Sequence, residues 1–241
     1  MSAERSLPPD ADPAIPPAER IPLAEWEVAP ALVPYPLALA RMEARAAAIH
    51  AGTASDLVWL LEHEPVYTAG TSADPRELIG RPDIPVFEAG RGGRYTYHGP
   101  GQRVAYLMLD LKPYGSDLRR HVWRLEEMVI RTLAEFDIDA LRRPGRIGVW
   151  VETGGSERKI AAIGVRVRRW VAFHGLSLNV DPALEDFAGI VPCGIAEFGV
   201  TSMAALGKPA PMAAVDAALR RHFLAVFGQD RQAGNANVHS L

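Results

Sequence analysis

The chain has 241 residues, 48% of them hydrophobic and 23% charged, enough for one sizeable globular domain with a buried core; this excludes fibrous and wholly disordered classes. With Lys+Arg 26 against Asp+Glu 29 the net charge is −3, so no overall basic excess points to nucleic acid as a ligand. A single cysteine excludes an internal disulfide framework and a cysteine-rich zinc site, and fits a reducing compartment.

Residues 1–20 hold Pro8, Pro9, Pro13, Pro16 and Pro17 among polar residues and alanines, the composition of a flexible leader and not of a secretory signal. Pro36 to His50 is alanine-rich with Leu39, Met42 and Ala46 at helical spacing and Gly52 as a stop, which predicts a helix. Leu57 to Leu61 reads as a short buried strand, and Val104 to Leu111 as a longer one. From Asp117 to Phe136, Leu118, Val122, Leu125, Val129, Leu133 and Phe136 recur every three or four places and define a second helix. Ile147 to Glu152, Ile160 to Arg168 and Val171 to Val180 follow as strands joined by short polar turns, which favours antiparallel pairing. A last helix, Met212 to Phe227, closes the domain before Gly228, leaving residues 229–241 as a polar tail. The expected architecture is α+β, a mixed, largely antiparallel sheet flanked by helices, with the folded domain over residues 21–228. No stretch approaches the roughly 20 apolar residues of a membrane helix, so a cytoplasmic protein is expected.

Four features carry chemistry. Cys193 stands in Val191-Pro192-Cys193-Gly194, where proline before and glycine after suit a turn that presents the thiol; a small buried hydrophobe is the competing reading. Of the basic residues only Lys112, Lys159 and Lys208 are lysines, and arginine does not release its proton. Lys112 and Lys208 precede prolines in loop-like settings, whereas Lys159 opens a strand beside Gly154-Gly155 and is the lysine placed to enter a walled site, a solvated strand end being the alternative. The run from Arg91 to Gln102 holds four glycines and His98, which suits a cleft-lining loop or a simple hairpin turn. His174-Gly175 sits inside a strand, where glycine marks close approach by a ligand or another backbone. His63 lacks the second histidine of a zinc-binding H-E-x-x-H, and Ser202 lacks a nucleophile elbow.

Taken in order, RGGRYTYHGPGQ (91–102), RKIAAIGVRV (158–167), FHGLSLNV (173–180) and VPCG (191–194) resemble the lipoyl(octanoyl) transferase family over residues 30–225. The resemblance implies the α/β catalytic domain shared with biotin and lipoate protein ligases. It implies transfer of an octanoyl group from octanoyl-acyl carrier protein to a lysine of lipoyl domains of 2-oxoacid dehydrogenase complexes and of the glycine-cleavage H protein, through a cysteine thioester. On matching positions Cys193 becomes the nucleophile and Lys159 its activator. Arg91, Gly92, Gly93, Arg94, Tyr95, Thr96, Tyr97, His98, Ala162, Ile163, Gly164, Gly175, Leu176 and Ser177 become the acyl-site lining. No role is carried over to Ile195 or to the AEFGV that follows it.

The chemistry agrees with the residues. Exchange of a pantetheine thioester for a cysteine thioester is nearly isoenergetic, and final transfer to an amine yields a more stable amide, so no cofactor, metal or nucleotide is expected. An eight-carbon chain gains roughly 0.8 kcal/mol per buried methylene, with Gly164 and Gly175 as candidates for giving it room. Two other readings compete: an ATP-dependent lipoate or biotin protein ligase on the same fold, and a non-catalytic protein that docks carrier or lipoyl domains. A monomer is expected, with Arg142, Arg143, Arg146, Arg166, Arg168 and Arg169 as a basic docking surface for an acidic carrier, or as an ordinary solvated face.

Overall fold

The computed structural model describes residues 24–80, 83–190 and 199–236. Its main sheet is built from β1 (Glu25–Val28), β2 (Leu57–Leu61), β6 (Gln102–Asp110), β10 (Val171–Asn179), β9 (Ser156–Arg168), β8 (Arg146–Thr153) and β7 (Ala140–Arg143), in that spatial order. β11 (Gly199–Val200) adds an eighth strand parallel to β9, and β1 is parallel to β2; the other pairs are antiparallel. A separate three-stranded sheet joins β3 (Val66–Ala69), β4 (Val86–Glu88) and β5 (Tyr95–His98) in the order β4-β3-β5. The α+β expectation therefore holds, and the short turns between β8, β9 and β10 do produce an antiparallel meander.

Alternation along the strands sends side chains to two cores. Leu57, Trp59, Leu61, Val104, Tyr106 and Met108 face α1 (Tyr35–His50), which buries Ala38, Met42, Ala46 and Ile49 against them. Val58, Leu60, Ala105, Leu107 and Leu109 face α2 (Leu118–Ala134) and α3 (Met212–Ala236), which contribute Leu125, Met128, Val129, Leu133, Val215, Leu219 and Phe223. α2 starts where Asp117 accepts the Arg120 N–H at 3.0 Å, a cap worth about 1 kcal/mol. Its buried face is rotated from the expected one: Leu118 is 43% exposed, while His121 and Arg124 turn inward toward Phe227.

Two expectations are corrected here. α3 does not stop before Gly228 but runs to Ala236, because an interior glycine costs only about 1 kcal/mol and the following Gln229, Asp230, Arg231 and Gln232 tolerate helix. The Gly99-Pro100-Gly101 turn does not close a hairpin within one sheet; it carries the chain from β5 in the small sheet to β6 in the large one. The leader at 1–20 and residues 237–241 lie outside the described residues. Among the described residues no helix is long and apolar enough to cross a membrane, and no cluster of metal-ligating side chains occurs.

Candidate active site

Lys159 owes its direction to an irregularity in β9. Across β8, Trp150 pairs with Lys159 but Val149 pairs with Ala161, so Ile160 is an extra residue in the ladder. Such a bulge shifts the alternation by one. Ile160 and Ala161 both enter the helix-side core, and Lys159 comes to the same side as Ala162, where both line a cleft. The Lys159 side chain is buried; its Nζ donates to the Ile147 carbonyl at 3.1 Å and lies 4.7 Å from the centroid of the Trp150 ring. Lys112, by contrast, is exposed at the start of a 3-10 turn, and Lys208 pairs with Asp137 at the surface. The walled position expected for Lys159 is what the fold provides.

The cleft is lined by Lys159, Ala162, Ser177, Thr96, Gln102, Asn179, Phe187 and Val200. Ala162 and Ser177 are direct cross-strand partners on β9 and β10. Sequence reasoning did not single out Gln102, Asn179, Phe187 or Val200, although Gln102 and Asn179 stand inside the quoted motifs as polar residues in otherwise apolar strands. They form one network: Gln102 Nε2 donates to Asn179 Oδ1 at 2.9 Å, and Asn179 Nδ2 donates to the Thr201 carbonyl at 2.9 Å. The Thr201 N–H in turn donates to the Lys159 carbonyl at 2.9 Å. The cleft floor is thereby tied to the backbone that carries the lysine.

Cys193 lies outside the described residues. The chain on either side of it is described: Phe187 and Val200 both line the cleft, Ile190 bridges Leu78, and Val200 pairs with Lys159 itself.

The glycine-rich loop folds around Arg91. Its guanidinium is buried and donates to the Gly92 and Arg94 carbonyls at 3.0 and 3.1 Å, and to the Thr68 carbonyl and hydroxyl at 2.9 and 2.7 Å. Arg91 thus ties the loop's own backbone to Thr68 on β3. Gly92 N–H donates to the Val165 carbonyl at 3.0 Å, laying the loop across β9, and a Cβ on Gly164 would stand 2.8 Å from Arg91 Cδ. A Cβ on Gly175 would stand 2.3 Å from the Ala105 carbonyl oxygen. At both glycines an added side chain would meet neighbouring protein, so each also serves close packing. Gly93 and Arg94 stay at the loop surface, with Arg94 paired to Glu77; Tyr95 and Tyr97 enter a core with Phe187, where Tyr97 also donates to Asp186 at 2.8 Å. Ile163 and Leu176 join the helix-side core instead of the cleft.

Behind the cleft three histidine rings meet. His63 and His98 have centroids 5.6 Å apart, and Tyr106 stands against both His63 and His174. His174 has φ 61°, and its ring stacks on Phe173. His98 Nδ1 bonds Gln102 Oε1 at 2.7 Å, linking this cluster to the cleft network. His63 is occupied on both nitrogens, by the Val33 carbonyl at 2.6 Å and the Tyr106 hydroxyl at 2.7 Å, in keeping with its rejection as a zinc ligand. Burial holds all three rings neutral: His63 is lowered to about 4, His174 to about 3, and His98 well below the ordinary value. Ser202 is likewise structural, its hydroxyl accepting the Ala205 N–H.

The lipoyl protein ligase A/B catalytic domain family matches residues 34–224. An octanoyltransferase of Rhizorhabdus wittichii is 63% identical over 202 residues, covering 84% of this chain and 91% of that protein. One of Paramagnetospirillum magneticum is 61% identical over 207 residues, covering 86% and 98%. The chain belongs to the octanoyltransferase family. As an octanoyltransferase it is an acyltransferase of protein lipoylation, on a fold shared with lipoate protein ligases. A bipartite lipoate protein ligase of Thermoplasma acidophilum superposes with a TM-score of 0.65 at 16% identity, covering 89% of this chain and 91% of that one.

On this octanoyltransferase the expected basic surface is largely neutralised. Arg142 pairs with Glu126 and Glu127, Arg143 with Glu152 and Glu157, Arg146 with Glu157, and Arg166 with Glu43. Arg168 and Arg169 remain exposed at the β9–β10 turn. The six arginines therefore do not form one positive face.

Proposed function

We propose that the chain moves an octanoyl group from octanoyl-acyl carrier protein to the lysine of a lipoyl domain or glycine-cleavage H protein, through a thioester on Cys193. The observation that carries this reading is the buried Lys159 side chain lining a cleft together with Phe187 and Val200, which flank the Cys193 segment. Cys193 is three steps along the chain from Ile190, a reach of about 11 Å at most.

In the first half-reaction the Cys193 thiol gives its proton to Lys159, or already exists as thiolate beside the ammonium. Sγ then attacks the thioester carbonyl, the bond to the pantetheine sulfur breaks, and that sulfur leaves with the proton from Lys159. In the second, the acceptor lysine amine attacks the Cys193 thioester, an amide forms, the Cys193 sulfur departs, and Lys159 takes the amine proton. Thr96, Ala162 and Ser177 would touch the acyl group, while Gln102 and Asn179 hold the floor beneath it. Arg91 to Arg94 serve by keeping the loop across β9. The protein acts as a monomer in the cytoplasm.

Intact-protein mass spectrometry after mixing the chain with octanoyl-acyl carrier protein, without nucleotide, tests the route. A hydroxylamine-labile octanoyl adduct on Cys193, absent in Cys193→Ala, is the expected result. Acyl transfer that persists in Cys193→Ala, or that demands ATP and free octanoate, would overturn it in favour of a ligase.

A further inference from the structure

The peptide unit between Ile147 and Gly148 stands between a carboxylate and the cleft lysine. Its C=O accepts from Lys159 Nζ at 3.1 Å, and its N–H donates to Glu126 Oε1 at 3.0 Å. The two groups of a trans peptide point in opposite directions, so Glu126 on α2 and Lys159 on β9 sit on either side of one polarised amide. Gly148 has φ 125°, and a Cβ there would fall 2.8 Å from the Ala161 carbonyl oxygen and 3.3 Å from Lys159 Nζ. That contorted glycine is held in place by a carboxylate that is itself buried.

We propose that Glu126 is a positioning residue for Lys159, fixing the amine through the Ile147–Gly148 peptide and using its negative charge to set the pH window in which the Lys159–Cys193 pair works. The inference rests on the reading of Lys159 as the proton-transfer group. Among the described residues, the charged groups facing Glu126 are Arg142 on β7, at 3.2 Å, and Lys159; Glu127 shares Arg142 at 2.5 Å. On the Lys159 side stand the Trp150 ring, Arg146 across that same ring and paired to Glu157, and the adjacent Arg158; Thr96, Gln102, Ser177 and Asn179 are uncharged.

The sign of the effect does not depend on how Lys159 acts. Neutral lysine with thiol and ammonium with thiolate hold the same number of protons, so activity rises as the pair gives up its first proton and falls as it gives up its second in either case. A negative charge at Glu126 favours the proton-richer form at both steps. Removing it moves both limbs of the pH profile to lower pH.

The test is the pH profile of transfer from octanoyl-pantetheine, a donor too small to depend on carrier docking. Glu126→Gln keeps an acceptor for the Gly148 N–H and leaves Arg142 its bond to Glu127; both limbs should move acidward by about half a pH unit or more. Glu127→Gln removes a charge that does not bond Gly148 and should move them less. If Glu126→Gln does not fold, Glu126→Met makes the same charge change and carries the same expectation. A lower rate at every pH with both limbs unmoved, while Lys159→Ala is inactive, overturns the inference and leaves the proposed function standing. Wild-type transfer by Lys159→Ala overturns both.

Discussion

Arg103 on β6 and Asp216 in the first turns of α3 form a buried ion pair, with Nε 2.8 Å from Oδ1 and side chains 5% and 13% exposed. The pair fastens the last helix to the centre of the sheet. Burial raises the Asp216 carboxyl above its ordinary value although Arg103 opposes this, which shows that desolvation is the larger effect. Asp216→Ala would leave the guanidinium buried without this partner, and about 3 kcal/mol of stability should be lost. Urea denaturation reads the loss, and the double change Arg103→Met with Asp216→Ala should recover much of it. Equal stabilities for the two variants would refute the ion-pair account.

Lys159→Met tests whether the cleft lysine is kept for chemistry. A methionine fills similar volume beside Trp150 and removes a buried charge, so the thermal midpoint should hold or rise. Octanoyl transfer should nonetheless fall by about 100-fold or more. A folded variant with a wild-type rate would remove Lys159 from the mechanism.

Helices α1 and α2 and the β8–β10 meander were legible because each has a hydrophobic period. α1 was placed to within one residue of its start, and β2 was read with its bounds unchanged. The small sheet was not legible. β3, β4 and β5 span only three or four residues each, and Tyr95 to His98 looks like loop because glycines flank it on both sides. Lys159 was legible by elimination among three lysines, but the bulge at Ile160 that aims it was not. A one-residue phase slip leaves no mark in a run such as KIAAIG, whose residues suit either face. The arginine surface failed for a related reason: cations cluster in sequence at 142–146, while the glutamates that neutralise them come from α2, β8 and β9.

Gly175→Ala tests the close packing at that glycine. Its Cβ would have to displace the Ala105 backbone carbonyl, which is pinned within the β6–β10 ladder, and Leu107 Cδ1 lies 2.9 Å from the same point. A backbone contact cannot rotate away, so about 2 kcal/mol or more should be lost in chemical denaturation. If the glycine instead made space for the acyl chain, the variant would be as stable as the wild type and would favour shorter acyl groups.

The buried histidines set the protein's response to acid. His63, His98, His174 and His121 are all neutral in the fold, with His63 at about 4, His174 and His121 at about 3, and His98 far below its ordinary value, each chiefly through burial. In the unfolded chain these rings take protons near 6.5. Their contribution is therefore fully present above about pH 6.5 and is lost as pH falls from there toward 4, because only the unfolded state binds the protons. Each ring contributes a slope of about 1.4 kcal/mol per pH unit across that window. Glu126 and Asp216, whose carboxyls burial raises, work in the opposite sense. The unfolding free energy should fall steeply between pH 7 and pH 5. His121→Leu should lessen the slope by one ring's share, since neither of its nitrogens has a hydrogen-bond partner among the described residues. A free energy that stays flat across the same interval would mean that these rings are protonated in the fold, and that the cluster behind the cleft is charged.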